Sequence, residues 1–159
     1  MRFMHKLGLL MMSMLFVSSS IAETYQVNVT RQGSNIYKIL GKDALIQTRY
    51  CYEYAYAEDA LLRTELGQLI FKSNGTSCDV RGLYTKSDQN AGTYVVTVSH
   101  VSDDWYEVMG SNLFIKTNSC LSIDLAAESI LKLAPGGFGS IKINNNDCMV
   151  DGLYTKVRL

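Results

Sequence analysis

Displaced by 69 residues, the chain falls on itself. Tyr25, Val27 and Val29 meet Tyr94, Val96 and Val98. Tyr37, Gly41, Ile46, Thr48, Cys51 and Leu62 meet Tyr106, Gly110, Ile115, Thr117, Cys120 and Leu131. One extra residue enters near Pro135, after which Lys72, Asn74, Cys78 and Val80 meet Lys142, Asn144, Cys148 and Val150. The pentad Gly82-Leu83-Tyr84-Thr85-Lys86 recurs unchanged as Gly152-Leu153-Tyr154-Thr155-Lys156. Unrelated segments agree at roughly one position in twenty, so the chain reads as a tandem duplication of a unit of about 65 residues. Whatever fold it takes must be built twice from the same framework, and positions that change character between the copies are the candidates for copy-specific work.

The pattern within each copy is that of strands. Tyr25, Val27 and Val29 alternate with polar residues, as do their counterparts, and a period of two marks a half-buried strand. Gly33-Ser34-Asn35 and Ser102-Asp103-Asp104 are turn chemistry, and Asn74-Gly75 reads as a tight hairpin turn. Further strands are expected near 36–40, 44–56 and 77–86, with partners near 105–109, 113–125 and 147–156. Around Ala57–Arg63 and Ala126–Lys132 a strand after a bulge is expected, with a short helix close behind. The fold class is therefore all-β, with one short helix per repeat at most.

Residues 1–22 read as a secretory signal peptide. Arg2 and Lys6 form a positive start, Leu7–Val17 is an apolar run too short to span a bilayer, and Ser20-Ile21-Ala22 supplies a cleavage site. Cleavage after Ala22 leaves Glu23 first. The expected organisation is a signal peptide at 1–22, repeat one at 23–87, a linker at 88–93 and repeat two at 94–159, with a periplasmic or secreted address and no transmembrane anchor. The remaining chain keeps all four cysteines, Cys51, Cys78, Cys120 and Cys148, and an even count behind a signal peptide implies two disulfides. Equivalent cysteines should pair equivalently. Pairs Cys51–Cys78 and Cys120–Cys148 satisfy this with loops of about 28 residues. Cross-copy pairs, 51 with 120 and 78 with 148, satisfy it too.

Composition then narrows the chemistry. The formal net charge is zero, which argues against a nucleic-acid footprint. His100 is the one histidine beyond the signal, and its counterpart is Arg31, so no repeated nucleophile–base arrangement exists. No phosphate loop, dinucleotide fingerprint or calcium loop occurs, and with the cysteines paired no zinc ligand set remains. No catalytic, cofactor or metal site is expected. Glu53 with Glu58 or Asp59, or Asp124 with Glu128, could act as acid and base on a sugar, but their spacing reads first as solvated surface.

Two features carry binding chemistry. Tyr50, Tyr52, Tyr54 and Tyr56 share one face of an extended segment. In the second copy that face is Ser119, Leu121, Ile123 and Leu125, and an aliphatic face reads as core in both copies. The other feature is Trp105, the single tryptophan, ringed by Asp103, Asp104 and Glu107 where copy one has Ile36, Ser34, Asn35 and Lys38. It is expected to stand on the polar face of its strand as an anchor for a basic partner. The function expected from sequence is a non-catalytic binding protein of the envelope, an inhibitor or immunity-type factor that holds another protein. The alternatives are a small carboxylate-dependent cell-wall hydrolase and a structural protein that binds polysaccharide.

Overall fold

A computed structural model describes residues 23–158 of the 159-residue chain. The expected signal peptide and its cleavage site after Ala22 lie outside the described residues. The order is β1 (Thr24–Gly33), β2 (Ile36–Ile39), β3 (Ala44–Arg49), β4 (Glu58–Arg63), β5 (Gln68–Phe71), β6 (Ser77–Lys86), β7 (Gly92–Ser102), β8 (Trp105–Val108), β9 (Leu113–Asn118), β10 (Ala127–Leu133), β11 (Gly139–Ile143) and β12 (Asn146–Val157). The described residues are all-β. The Glu58–Arg63 segment is strand, as is Ala127–Leu133, and neither is followed by the short helix expected from sequence. Among the described residues no helix is long and apolar enough to cross a membrane.

The strands close into two rings. β6-β3-β2-β1-β4-β5 returns to β6, and β12-β9-β8-β7-β10-β11 returns to β12. Both rings are antiparallel and have the same strand order, and their irregularities match. Arg81 bulges out of the β3–β6 ladder where Asp151 bulges out of the β9–β12 ladder. The first ring wraps a core containing Val29, Tyr37, Ile46, Leu69 and Phe71, and the second wraps Val98, Tyr106, Ile115, Ile141 and Leu153. Val29 and Val98 belong to the alternations that read as strand in the sequence. Closure leaves little free strand edge, the usual hazard of a small sheet.

The repeated pentads join the rings. β6 and β12 pair antiparallel with Tyr84↔Lys156, Thr85↔Thr155 and Lys86↔Tyr154, so each pentad is the other's partner. Glycine matters here. A Cβ on Gly82 would stand 2.8 Å from the Tyr84 ring and one on Gly152 3.2 Å from the Tyr154 ring. The bare glycine lets each tyrosine fold back beside its own strand. Both rings face inward there onto a third core of Ile36, Leu45, Tyr84, Trp105 and Phe114, with Tyr154 packed against it. The two halves therefore each own a core and share one.

This third core corrects the expectation for Trp105. The indole is 2% exposed, with ring centroids 4.8 Å from Tyr84 and 5.3 Å from Tyr154. It lies on the outward face of its own ring, as expected, but that face is covered by the other ring. Period-two reasoning within one copy identifies the outside of a barrel and not what packs against it.

Candidate functional site

β3 and β9 both stop short of the long strand expected from sequence. Arg49 and Asn118 are followed by extended segments, 50–57 and 119–126, that cross the end of each ring to β4 and β10. We call them straps. Each is bounded by left-handed residues without glycine: Tyr50 (φ 51°) and Ala57 (φ 50°) in the first, Ser119 (φ 55°) and Ala126 (φ 52°) in the second. Such conformations cost about 1–2 kcal/mol each and persist only where surrounding contacts impose them.

Those contacts are the same in both halves. At the entrance, Asn35 Oδ1 accepts the Cys51 N–H at 2.9 Å, and Asp104 Oδ1 accepts the Cys120 N–H at 3.0 Å. At the exit, the Ala57 N–H donates to Thr30 Oγ1 at 3.0 Å and the Ala126 N–H to Ser99 Oγ at 2.9 Å. Midway, the buried hydroxyl of Tyr37 donates to the Glu53 carbonyl at 2.7 Å, and that of Tyr106 to the Ser122 carbonyl. Backbone bonds from Arg31 to Ala55 and from His100 to Asp124, each 2.9 Å, complete the set. Disulfides Cys51–Cys78 and Cys120–Cys148 staple each strap to the last strand of its ring. The within-copy pairing is the one present.

Alternation along these straps sends small groups inward and large ones outward. Cys51 and Ala55 join the first core. Tyr50, Tyr52, Tyr54 and Tyr56 are each 79–80% exposed, and Leu121, Ile123 and Leu125 are 79–92% exposed. The expectation that this face is core in both copies is thus overturned. The sequence held the signal: the strap cysteines must reach buried partners, and they sit on the parity opposite to the tyrosines. A row of aliphatic residues outweighed that constraint in the reading from sequence.

The beginnings of the two straps lie near one another. Tyr50 lines a hollow with Ser102 and Asp103, and Ser119 and Leu121 line another with Gly33 and Ser34. The β1–β2 and β7–β8 turns meet there, and Gln47 Nε2 of β3 donates to Ser102 Oγ at the end of β7 at 2.7 Å.

The acidic cluster expected around Trp105 is dispersed. Asp104 is committed to holding the second strap, and its carbonyl also accepts the Thr117 N–H at 2.8 Å. Asp103 is exposed on a left-handed turn (φ 44°), Glu107 is half-buried on β8, and Trp105 is core. These residues do not form a patch around an exposed aromatic. His100 Nε2 donates to the Asp103 carbonyl at 2.8 Å, which places its proton on that nitrogen. Of the carboxylates considered as acid–base pairs, all but Glu128 have separate partners. Glu53 accepts from Asn74 Nδ2 at 2.9 Å, Asp59 from Asn28 Nδ2 at 3.0 Å, Glu58 from the Ser73 hydroxyl and Asp124 from the Ser122 hydroxyl. Among the described residues no three His, Cys, Asp or Glu side chains come together as metal ligands.

Burial pushes the phenols of Tyr37, Tyr84, Tyr106 and Tyr154 above the ordinary value of 10.0. Asp104 and Asp124 add to the effect at Tyr106. Unfolded, these tyrosines ionise at lower pH than in the fold, so above pH 10 the unfolded chain binds fewer protons and gains stability relative to the folded one. Their contribution is intact below pH 10 and lost as pH rises through the folded values. The urea midpoint should fall between pH 8 and about pH 11, and a flat midpoint across that window would contradict the burial of these four hydroxyls.

No family model, curated protein or solved structure matches the chain.

Proposed function

We propose that the chain is a periplasmic or secreted protein that works by binding another protein across its straps, as an inhibitor or immunity-type factor of the envelope. The observation that carries this is the exposure of four tyrosines and three aliphatic residues on segments held rigid by matched hydrogen bonds and disulfides. At roughly 200 Å² per tyrosine, the first row alone presents about 600 Å², at the upper end of what monomers leave open. Rigid tyrosines bury large area at low entropy cost, and holding them in advance removes ordering cost from association. Tyrosines alone would also suit stacking on a polysaccharide. The aliphatic row of the second strap favours a protein surface, since Leu121, Ile123 and Leu125 offer no ring to stack on a sugar. Two disulfides agree with an oxidising compartment.

The test is a pair of double variants, Tyr52→Ser with Tyr54→Ser and Leu121→Ser with Ile123→Ser. All four side chains are exposed, so both variants should fold with stability within about 1 kcal/mol of the parent. Binding to the partner isolated with the parent protein should weaken at least thirtyfold in the tyrosine variant, the loss of about 2 kcal/mol typical of a hot spot. Undiminished binding in both folded variants would remove the straps from the interface.

A further inference from the structure

We propose that a hollow beside the free edge of β1 takes an extended peptide, added to the first ring as a strand. Along Thr24–Asn28, β1 pairs with β4 on one side. On the other side β2 joins only from Val29, and the last bond there is from the Leu40 N–H to the Asn28 carbonyl at 2.8 Å. Among the described residues no strand therefore pairs with residues 24–27 on that side, in an otherwise closed barrel. The alternation of the ladder says which groups are free. The Thr64 N–H reaches the Glu23 carbonyl at 3.4 Å, so the odd-numbered residues face β4. Thr24 and Gln26 then turn their N–H and C=O groups away from β4, and Gln26 lines the hollow.

The hollow suits a strand. It measures about 730 Å³, within the range of sites that hold a compact ligand. Val27, Ile39, Leu62 and Leu83 form its apolar wall, for the side chains of an alternating peptide. Its ends differ in charge. Glu23 and Glu65 stand where β1 begins, and Lys42 stands in the β2–β3 turn, next to where Leu40 bonds Asn28. A peptide antiparallel to β1 would enter beside Lys42 with an acidic residue and leave beside the two acids with a basic one.

The second ring carries the same backbone edge without these features. β2's counterpart β8 joins β7 only from Val98. There Tyr94 packs against the core with its hydroxyl on the Asn90 carbonyl at 2.7 Å, and buried Leu133 stands where the first ring has Thr64. Ser111 and Ala134 replace Lys42 and Glu65. The site is specific to the first ring and lies apart from the strap that crosses the ring between β3 and β4.

The probe is an acetylated, amidated heptapeptide with aspartate first, lysine last and valine at alternate positions between, titrated into the purified protein by fluorescence anisotropy. Saturable binding is expected, together with slowed amide exchange at Gln26. Gln26→Pro deletes an N–H turned away from β4 while sparing the β4 ladder, and should weaken binding at least tenfold. Lys42→Glu should weaken it severalfold. The same peptide N-methylated at alternate amides should not bind. Equal binding by the N-methylated peptide, or no saturable binding by the parent peptide, would overturn strand addition, and this arm decides the matter even if the proline variant does not fold. The Tyr52→Ser/Tyr54→Ser variant should bind the peptide as the parent does, which separates this site from the strap face.

Discussion

Trp105→Ala is expected to cost about 3–5 kcal/mol of stability, the usual penalty for emptying a fully buried aromatic site. The indole fills the core between the rings and meets Tyr84 at 4.8 Å and Tyr154 at 5.3 Å. Its counterpart across the pseudo-symmetric core is Ile36, too small to collapse into the space. The pentad seam is only four pairs long, Leu83–Lys86 with Tyr154–Val157, so the shared core holds the rings together as much as the ladder does. Urea unfolding followed by near-ultraviolet circular dichroism should show the loss. A change under 0.5 kcal/mol would mean the indole does not pack as described. Trp105→Phe keeps an aromatic in contact with both tyrosines and should cost less than half as much.

Removing either disulfide is expected to cost about 2–5 kcal/mol, on the chain-entropy account for loops of this length. The Cys51–Cys78 bridge spans 27 positions and Cys120–Cys148 spans 28, so the two losses should be similar. The local consequence should differ from that of Trp105→Ala. With Cys51→Ala and Cys78→Ala, the first strap loses its staple, and the strained Tyr50 and Ala57 conformations lose one of the restraints that impose them. Chymotrypsin should then cleave between residues 50 and 57 well before the remainder of the chain. Cleavage at the parental rate would show that the hydrogen bonds from Asn35, Tyr37 and Thr30 hold the strap unaided.

Much of this fold was legible residue by residue. The alternation at Tyr25–Val29 and Tyr94–Val98, the turns at Gly33 and Asn74, and the equivalence of the cysteines all carried through to strands, hairpins and bridges. These signals are local, or they compare one half of the sequence with the other. What was not legible depended on how the rings meet. Trp105 points away from its own ring, and only the neighbouring ring makes that direction interior. The tyrosine row failed for a different reason. Tyr50 and Ser119 turn the backbone left-handed without a glycine to announce it, so a long strand was expected where a strap crosses the ring. Once the segment leaves the sheet, its cysteine fixes the inward parity and its apolar side chains are left outside. Asp104 shows a related limit: its charge suggested a binding patch, whereas its carboxylate replaces the Asn35 amide in holding a strap.

The central claim, that the strap face binds another protein, is tested most directly by placing a photo-crosslinking amino acid at position 52, at position 123 and, as a control, at position 112 in the protein produced in its own cells. Asn112 is exposed in the β8–β9 turn, at the end of β9 remote from its strap. Ultraviolet exposure should give one discrete protein adduct from positions 52 and 123 and none from position 112. Adducts of equal yield from all three positions, or from position 112 alone, would contradict a binding role for the straps.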